Sequence, residues 1–135
     1  MVLVDTSVWI DFLQRPGSEV HEEMSKLIQG TNRVATCGLV IQEILQGLKS
    51  PRSIHLLESR LVSLPFVPTR KSTYLLAAGI FCRLKEKGAA AQTVDATIAA
   101  IAIENRLPLF TLNLRHFVPI SKVSKLQLYS LQASA

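Results

Sequence analysis

A chain of 135 residues with net charge +5, 48% hydrophobic and only 19% charged residues, is sized for one domain with a substantial core. No apolar run reaches the ~18 residues of a membrane span, and MVLVDTSVW at the start lacks a basic leader region. Cys37 and Cys82 stand far apart without metal-ligand spacing. These features set aside a helical membrane protein and a disulfide-stapled secreted domain, and point to a cytoplasmic protein with reduced thiols.

The basic balance suits a polyanionic partner such as RNA. An apolar excess with few charges points to a sizeable interface, either with a second copy or with another protein.

The chain opens on Val2-Leu3-Val4, a continuous apolar run of the kind found in a strand covered on both faces. It ends at Asp5, and Val8, Trp9, Ile10, Phe12 and Leu13 then supply the apolar face of a helix. In open α/β sheets ligands bind beyond the carboxyl ends of strands, which is where Asp5 falls. Asp5 is equally suited to cap the helix, as are Thr6 and Ser7.

Pro16 and Gly17 break that helix. Ser18 caps a second one running to Ile28, with Glu19, Glu22 and Glu23 at its positive end and Gly30 closing it. Arg33 to Thr36 reads as a short strand. From Gly38 a helical stripe of Val40, Ile41, Ile44, Leu45 and Leu48 appears, with Glu43 well away from its centre. Gly47, one turn on, leaves room for another element or a ligand. Alone, Glu43 also reads as an ordinary solvated helix glutamate.

Pro51 starts a helix that runs to about Leu61. Leu64 to Val67 is a brief strand whose neighbours Pro65 and Pro68 favour a sheet edge. Thr69 is expected to cap a long helix through Lys87, with Leu75, Leu76, Ala78, Phe81 and Cys82 inward. Arg83, Lys85, Lys87 and Gly88 form its cationic, glycine-terminated end.

Thr93-Val94-Asp95 opens a helix over Ala96 to Asn105 that is apolar nearly all round and therefore interior. Asp95, at its positive end, is either a cap or an anionic ligand on a rigid support. Leu107 to Leu112 is a buried strand ending at Asn113, Leu114 to Phe117 a tight turn, and Leu126 to Leu131 a last strand. The order implies an α/β fold: a three-layer α/β/α sandwich around a mainly parallel sheet, one domain over residues 1–135.

Asp5 and Asn113 end two strands, Asp95 begins the helix leading into the second, and Glu43 lies on a helix following another. Gathering three carboxylates is costly without a cation, since like charges raise one another's pKa. An all-oxygen ligand set selects Mg²⁺ or Mn²⁺. Such an ion can activate a nucleophile and neutralise charge on a phosphodiester.

Four stretches, VDTSVWIDFL, IQEILQGL around Glu43, VDATIAAIA at Asp95 and LFTLNLRHF at Asn113, occur in order over nearly the whole chain. In this the sequence resembles the PIN-domain ribonucleases, and among them the VapC-type toxins of type II toxin–antitoxin pairs. The resemblance implies that Asp5, Glu43 and Asp95 are the acidic metal-binding triad. It puts Asn113 at a fourth catalytic position that is Asp in many relatives, with one negative charge fewer. Thr6, Ser7 and Thr111 match small hydroxyl residues lining the same pocket.

The implied reaction is Mg²⁺- or Mn²⁺-dependent endonucleolytic hydrolysis of RNA by a metal-activated water, leaving 5′-phosphate and 3′-hydroxyl ends. The implied partners are RNA, a cognate antitoxin laid along the active-site groove, and a second copy in a homodimer, with no membrane. Arg15, Lys49, Arg52 and Arg115 are candidate phosphate contacts. His116 invites a general-base reading, while its turn context LRHF points to a structural or substrate-edge role. The competing expectation is a non-catalytic PIN-fold module that binds RNA or protein. Loss of a triad acid would favour it, and none is lost.

Overall fold

Among the described residues, 1–131 of the computed structural model, the elements run β1 (Val2–Val4), α1 (Thr6–Gln14), α2 (Glu19–Gln29), β2 (Val34–Cys37), α3 (Gly38–Gln46), α4 (Pro51–Ser63), β3 (Phe66–Val67), α5 (Lys71–Glu86), α6 (Thr93–Glu104), β4 (Leu109–Phe110) and α7 (Leu114–Val123). The end of the expected domain, residues 132–135, lies outside the described residues.

All strand pairs are parallel, in the order β3-β2-β1-β4. Val2 pairs with Val34, Leu3 with Leu109, and Thr36 with Phe66. β3 is at the edge, as its flanking prolines require.

From β1 to β2 to β3 the chain steps in one direction; from β3 it jumps back over the sheet to β4. Right-handed crossovers then put α1 to α4 on one face and α5 with α6 on the other. The packing agrees: α1 meets α2 and α3, α3 meets α4, and α5, α6 and α7 pack on one another. The result is the expected three-layer sandwich. The reversal of strand order falls between β1 and β4, the place where an open sheet leaves a crevice for a ligand.

The strands are interior because every residue of β1 and β2 is buried, which a continuous apolar run demands. Helix α6 buries Ala96 through Ala102 without a break. Its alanines let neighbouring helices approach closely, and at 0% exposure Ala99, Ala100, Ile101 and Ala102 leave no solvated face.

Four expectations are corrected. Helix α5 turns inward Thr73, Ala77, Ile80 and Leu84, while Leu75 is 76% exposed, Ala78 and Cys82 are exposed, and Leu76 and Phe81 are half-buried. This helix carries two stripes with helical spacing, and packing on the alanine-rich α6 selects the one containing small Ala77. Nor does Thr69 cap it. Arg70 is the capping position, and its backbone N–H donates to Thr73 Oγ1 at 3.0 Å.

Leu114 to Phe117 is not a turn but the start of α7, which continues through Pro119. Phe117 and Ile120, one turn apart, are 0% and 1% exposed. Burying two such side chains is worth about 3–6 kcal/mol, enough to carry an interior proline costing about 3 kcal/mol. Finally, the expected strand over Leu126 to Leu131 contracts to one parallel bridge, Leu109 with Leu128. Leu109 N–H donates to Gln127 O and Tyr129 N–H to Leu109 O.

Candidate active site

Asp5 stands between β1 and α1, so the apolar strand delivers it to the carboxyl edge of the sheet at the point where strand order reverses. Its backbone N–H is tied to Phe110 O at the end of β4 (2.9 Å). Its side chain is 6% exposed and makes no capping bond to the helix. Asp5 Oδ2 instead accepts from Ser7 Oγ and Thr111 Oγ1, each at 2.8 Å.

Each hydroxyl has one proton, so the 3.3 Å approach of Ser7 Oγ to Thr111 Oγ1 is left as oxygen against oxygen, tolerated because both serve Asp5. The same oxygens accept backbone N–H groups, Ser7 Oγ from Leu112 at 2.9 Å and Thr111 Oγ1 from Asn113 at 3.0 Å. The loop after β4 is thereby fixed to the start of α1.

Glu43 comes from the middle of α3, which begins directly after β2 and so runs away from the same edge. Thr6 Oγ1 donates to Glu43 Oε1 at 3.1 Å. No other element approaches Gly47: a Cβ there would meet only carbonyls of its own helix, at 3.5 and 3.6 Å.

Helix α6 begins at Thr93, earlier than expected, which puts Asp95 inside its first turn. Asp95 Oδ2 lies 2.8 Å from His116 Nδ1, and Asn113 Nδ2 lies 3.0 Å from that same nitrogen. Asn113 caps α7 with its carbonyl, which accepts from His116 N and Phe117 N at 3.1 Å each.

Asp5, Thr6, Ser7, Glu43, Asp95 and Asn113 line one cavity of about 390 Å³, whose apolar rim is Ile10 and Leu112. The rim escaped the sequence reading because an apolar residue beside a strand-end acid carries no chemical signal. Burial pushes the carboxyls of Glu43 and Asp95 up from their ordinary values. The hydroxyl of Thr6 pulls Glu43 back down and His116 does the same for Asp95, while Asp5 raises both and Asp95 raises Glu43 further. The acids feel one another.

A divalent cation fits this donor set. Among the described residues each of the three acids engages one oxygen with protein donors, and Asp5 Oδ1, Glu43 Oε2 and Asp95 Oδ1 have no protein partner. Free acceptors lining a partly buried cavity call for water or a cation. Among those residues no three His, Cys, Asp or Glu side chains already close on a single point. The acids frame an open site, which suits an ion that keeps several waters and takes one or two carboxylates directly.

The expected phosphate contacts are not brought in. Arg15, Lys49, Arg52 and Arg115 are all exposed and none lines the cavity. Arg15 sits 3.6 Å from Asp11, the buried acid of α1, which faces away from the site and also accepts from Ser18 Oγ at 2.8 Å.

A model of the PIN domain family matches residues 2–123. The chain belongs to the PIN-domain family. The matched span includes Asp5, Glu43, Asp95 and Asn113. Over 108 residues the chain is 30% identical to ribonuclease VapC11 of Mycobacterium tuberculosis, with 78% of this chain and 81% of the relative covered.

Among solved structures, VapBC2 from Rickettsia felis, bound to a DNA fragment from its promoter, superposes with a TM-score of 0.77 at 19% identity, covering 96% of this chain and 98% of that one. FitAcB from Neisseria gonorrhoeae gives 0.74 at 21% identity, covering 96% and 97%. These likenesses are of fold. In this PIN domain the strand-order reversal, the three acids and their hydroxyl partners coincide at one sheet edge. Among the described residues, no helix is long and apolar enough to cross a membrane.

Proposed function

We propose that the protein is an endoribonuclease of the VapC type, the toxin of a toxin–antitoxin pair, and that it hydrolyses RNA phosphodiesters with a divalent cation, Mg²⁺ or Mn²⁺. The observation that carries this is the set of three carboxylates, from β1, α3 and α6, each with one oxygen held by the protein and the other without a protein partner, on one cavity. The relatives of known name are ribonucleases.

Asp5, Glu43 and Asp95 would hold the cation. When bound, it supplies charge neutralisation at the phosphodiester and a more acidic water at neutral pH. Thr6 orients Glu43 and offsets part of the rise that burial imposes on its carboxyl, while Ser7 and Thr111 orient Asp5 by holding its Oδ2. Asn113 adds a neutral amide where a fourth acid would have added charge, so the site carries less negative charge to share with a second ion.

Ile10 and Leu112, both exposed at the rim, give the mouth of the cavity an apolar border. Arg15, Lys49, Arg52 and Arg115, lying outside the cavity, are left as candidate contacts to phosphates away from the cut. Further parts of the proposal are an antitoxin over the groove, pairing with a second copy through exposed apolar surface such as Tyr74 and Leu75, and a cytoplasmic location in keeping with two free cysteines.

The test is incubation of purified, antitoxin-free protein with total cellular RNA in Mg²⁺, in Mn²⁺ and in EDTA. Discrete fragments that require the cation support the proposal. Folded protein that binds RNA and leaves it intact in both ions refutes it in favour of a binding module.

A further inference from the structure

Helix α7 was not visible in the sequence, and its presence gives His116 a defined place. As the third residue of α7, His116 sits in the first turn of that helix; Asp95, as the third residue of α6, sits in the first turn of its own. The packing of α6 on α7 sets these two turns side by side, with His116 Nδ1 at 2.8 Å from Asp95 Oδ2.

An ionised carboxylate has acceptors only, so the imidazole must be the donor, with its proton on Nδ1. That nitrogen then has no lone pair to accept from Asn113 Nδ2 at 3.0 Å, so the amide orientation that fits the network is the reverse one, with Oδ1 toward the ring. The arrangement is over-determined: the Asn113 carbonyl caps the turn that carries His116, and its amide bears on the ring the turn presents. No other side-chain donor reaches Asp95 among the described residues.

We infer that His116 is a positioning residue for Asp95, its Nδ1–H holding Oδ2 so that Oδ1 is the oxygen left for the divalent cation. The inference rests on the proposed function, since it gives a role at the cation site to a residue that touches no cation itself. The general case is well understood: groups that hydrogen-bond a metal-binding side chain fix its orientation, and removing one costs 10–100-fold in metal affinity. With Nδ1 engaged by Asp95, His116 does not use that nitrogen as a base toward substrate.

The experiment is calorimetric titration of Mn²⁺ into the full chain and three variants, with thermal melting alongside. His116→Leu, which lacks a donor, is expected to bind Mn²⁺ about 10–100-fold more weakly. His116→Asn, whose Nδ2 occupies the same δ position, is expected to recover affinity to within a few-fold of wild type. A merely structural histidine would lower the melting temperature of both variants without separating their affinities. Where bulky Leu disturbs packing, His116→Ala replaces it.

Asp95→Asn shows which idea has failed. If it weakens binding while His116→Leu binds like wild type, or if Asn fails to rescue, the positioning role is overturned and the functional reading stands. If wild type binds no Mn²⁺, both fall together.

Discussion

Thr111 Oγ1 donates to Asp5 Oδ2 at 2.8 Å, a bond between residues 106 positions apart that joins the end of β4 to the end of β1. It lies where the strand order reverses, and Ser7 donates to the same oxygen alongside it. Asp5 is therefore held as an oriented carboxylate by the fold itself. The remaining oxygen is what the site has to offer.

Replacing Thr111 by Val deletes a donor to Asp5 and the acceptor of the Asn113 N–H, at a residue 5% exposed. A loss of about 1–3 kcal/mol is expected for leaving such groups unpaired. Urea unfolding should show a lower midpoint at unchanged slope, and Mn²⁺ affinity should fall with it. Thr111→Ser, which keeps the hydroxyl, should recover most of both.

The cation-free protein should be limited by its own site. Burial raises the Asp95 carboxyl, and Asp5 adds to the rise. A carboxyl raised in the folded state stabilises the fold below its unfolded pKa, and that contribution is lost as pH climbs through the folded value. At neutral pH the ionised Asp95 is thus a cost. Asp95→Asn should melt above wild type at neutral pH without cation, with the gap closing as pH falls through the carboxylate range. Saturating Mn²⁺ should reverse the order, because it stabilises only the chain that binds it. Melting curves across pH, with and without the ion, read this directly.

Ser18 offers a control remote from the cavity. Its hydroxyl accepts from His21 N at 3.0 Å to cap α2 and donates to buried Asp11 at 2.8 Å. Ser18→Ala is expected to cost about 0.5–2 kcal/mol, seen in denaturant unfolding, with RNA cleavage per folded molecule unchanged.

What the sequence disclosed and what it hid divide along physical lines. The apolar runs that stop at Asp5 and just before Asn113 are legible because a strand buried on both faces must be apolar and must end where it meets solvent. The buried helix beyond Asp95 is legible for the same reason. Helix α5 was misread because Leu75 and Ala77 both belong to apolar stripes, and only the surface of α6 decides between them. Helix α7 was missed because Pro119 argues against a helix locally, while the burial that overrides it comes from the tertiary structure. With α7 unseen, the meeting of His116 with Asp95 could not be anticipated. The C-terminal strand was over-read from an apolar pattern that pairs at Leu128 alone.

The most direct measurement is the rate at which purified wild type, Asp5→Asn, Glu43→Gln and Asp95→Asn cleave one single-stranded RNA at saturating Mn²⁺. Each substitution keeps the shape of the side chain and one acceptor oxygen, and replaces the other oxygen by an NH2 group, removing the charge and the oxygen left for the cation. A loss of about 100-fold or more in each variant, with folding intact, is the expected result. Cleavage at the wild-type rate by any one of them would contradict a three-carboxylate site at this edge of the sheet.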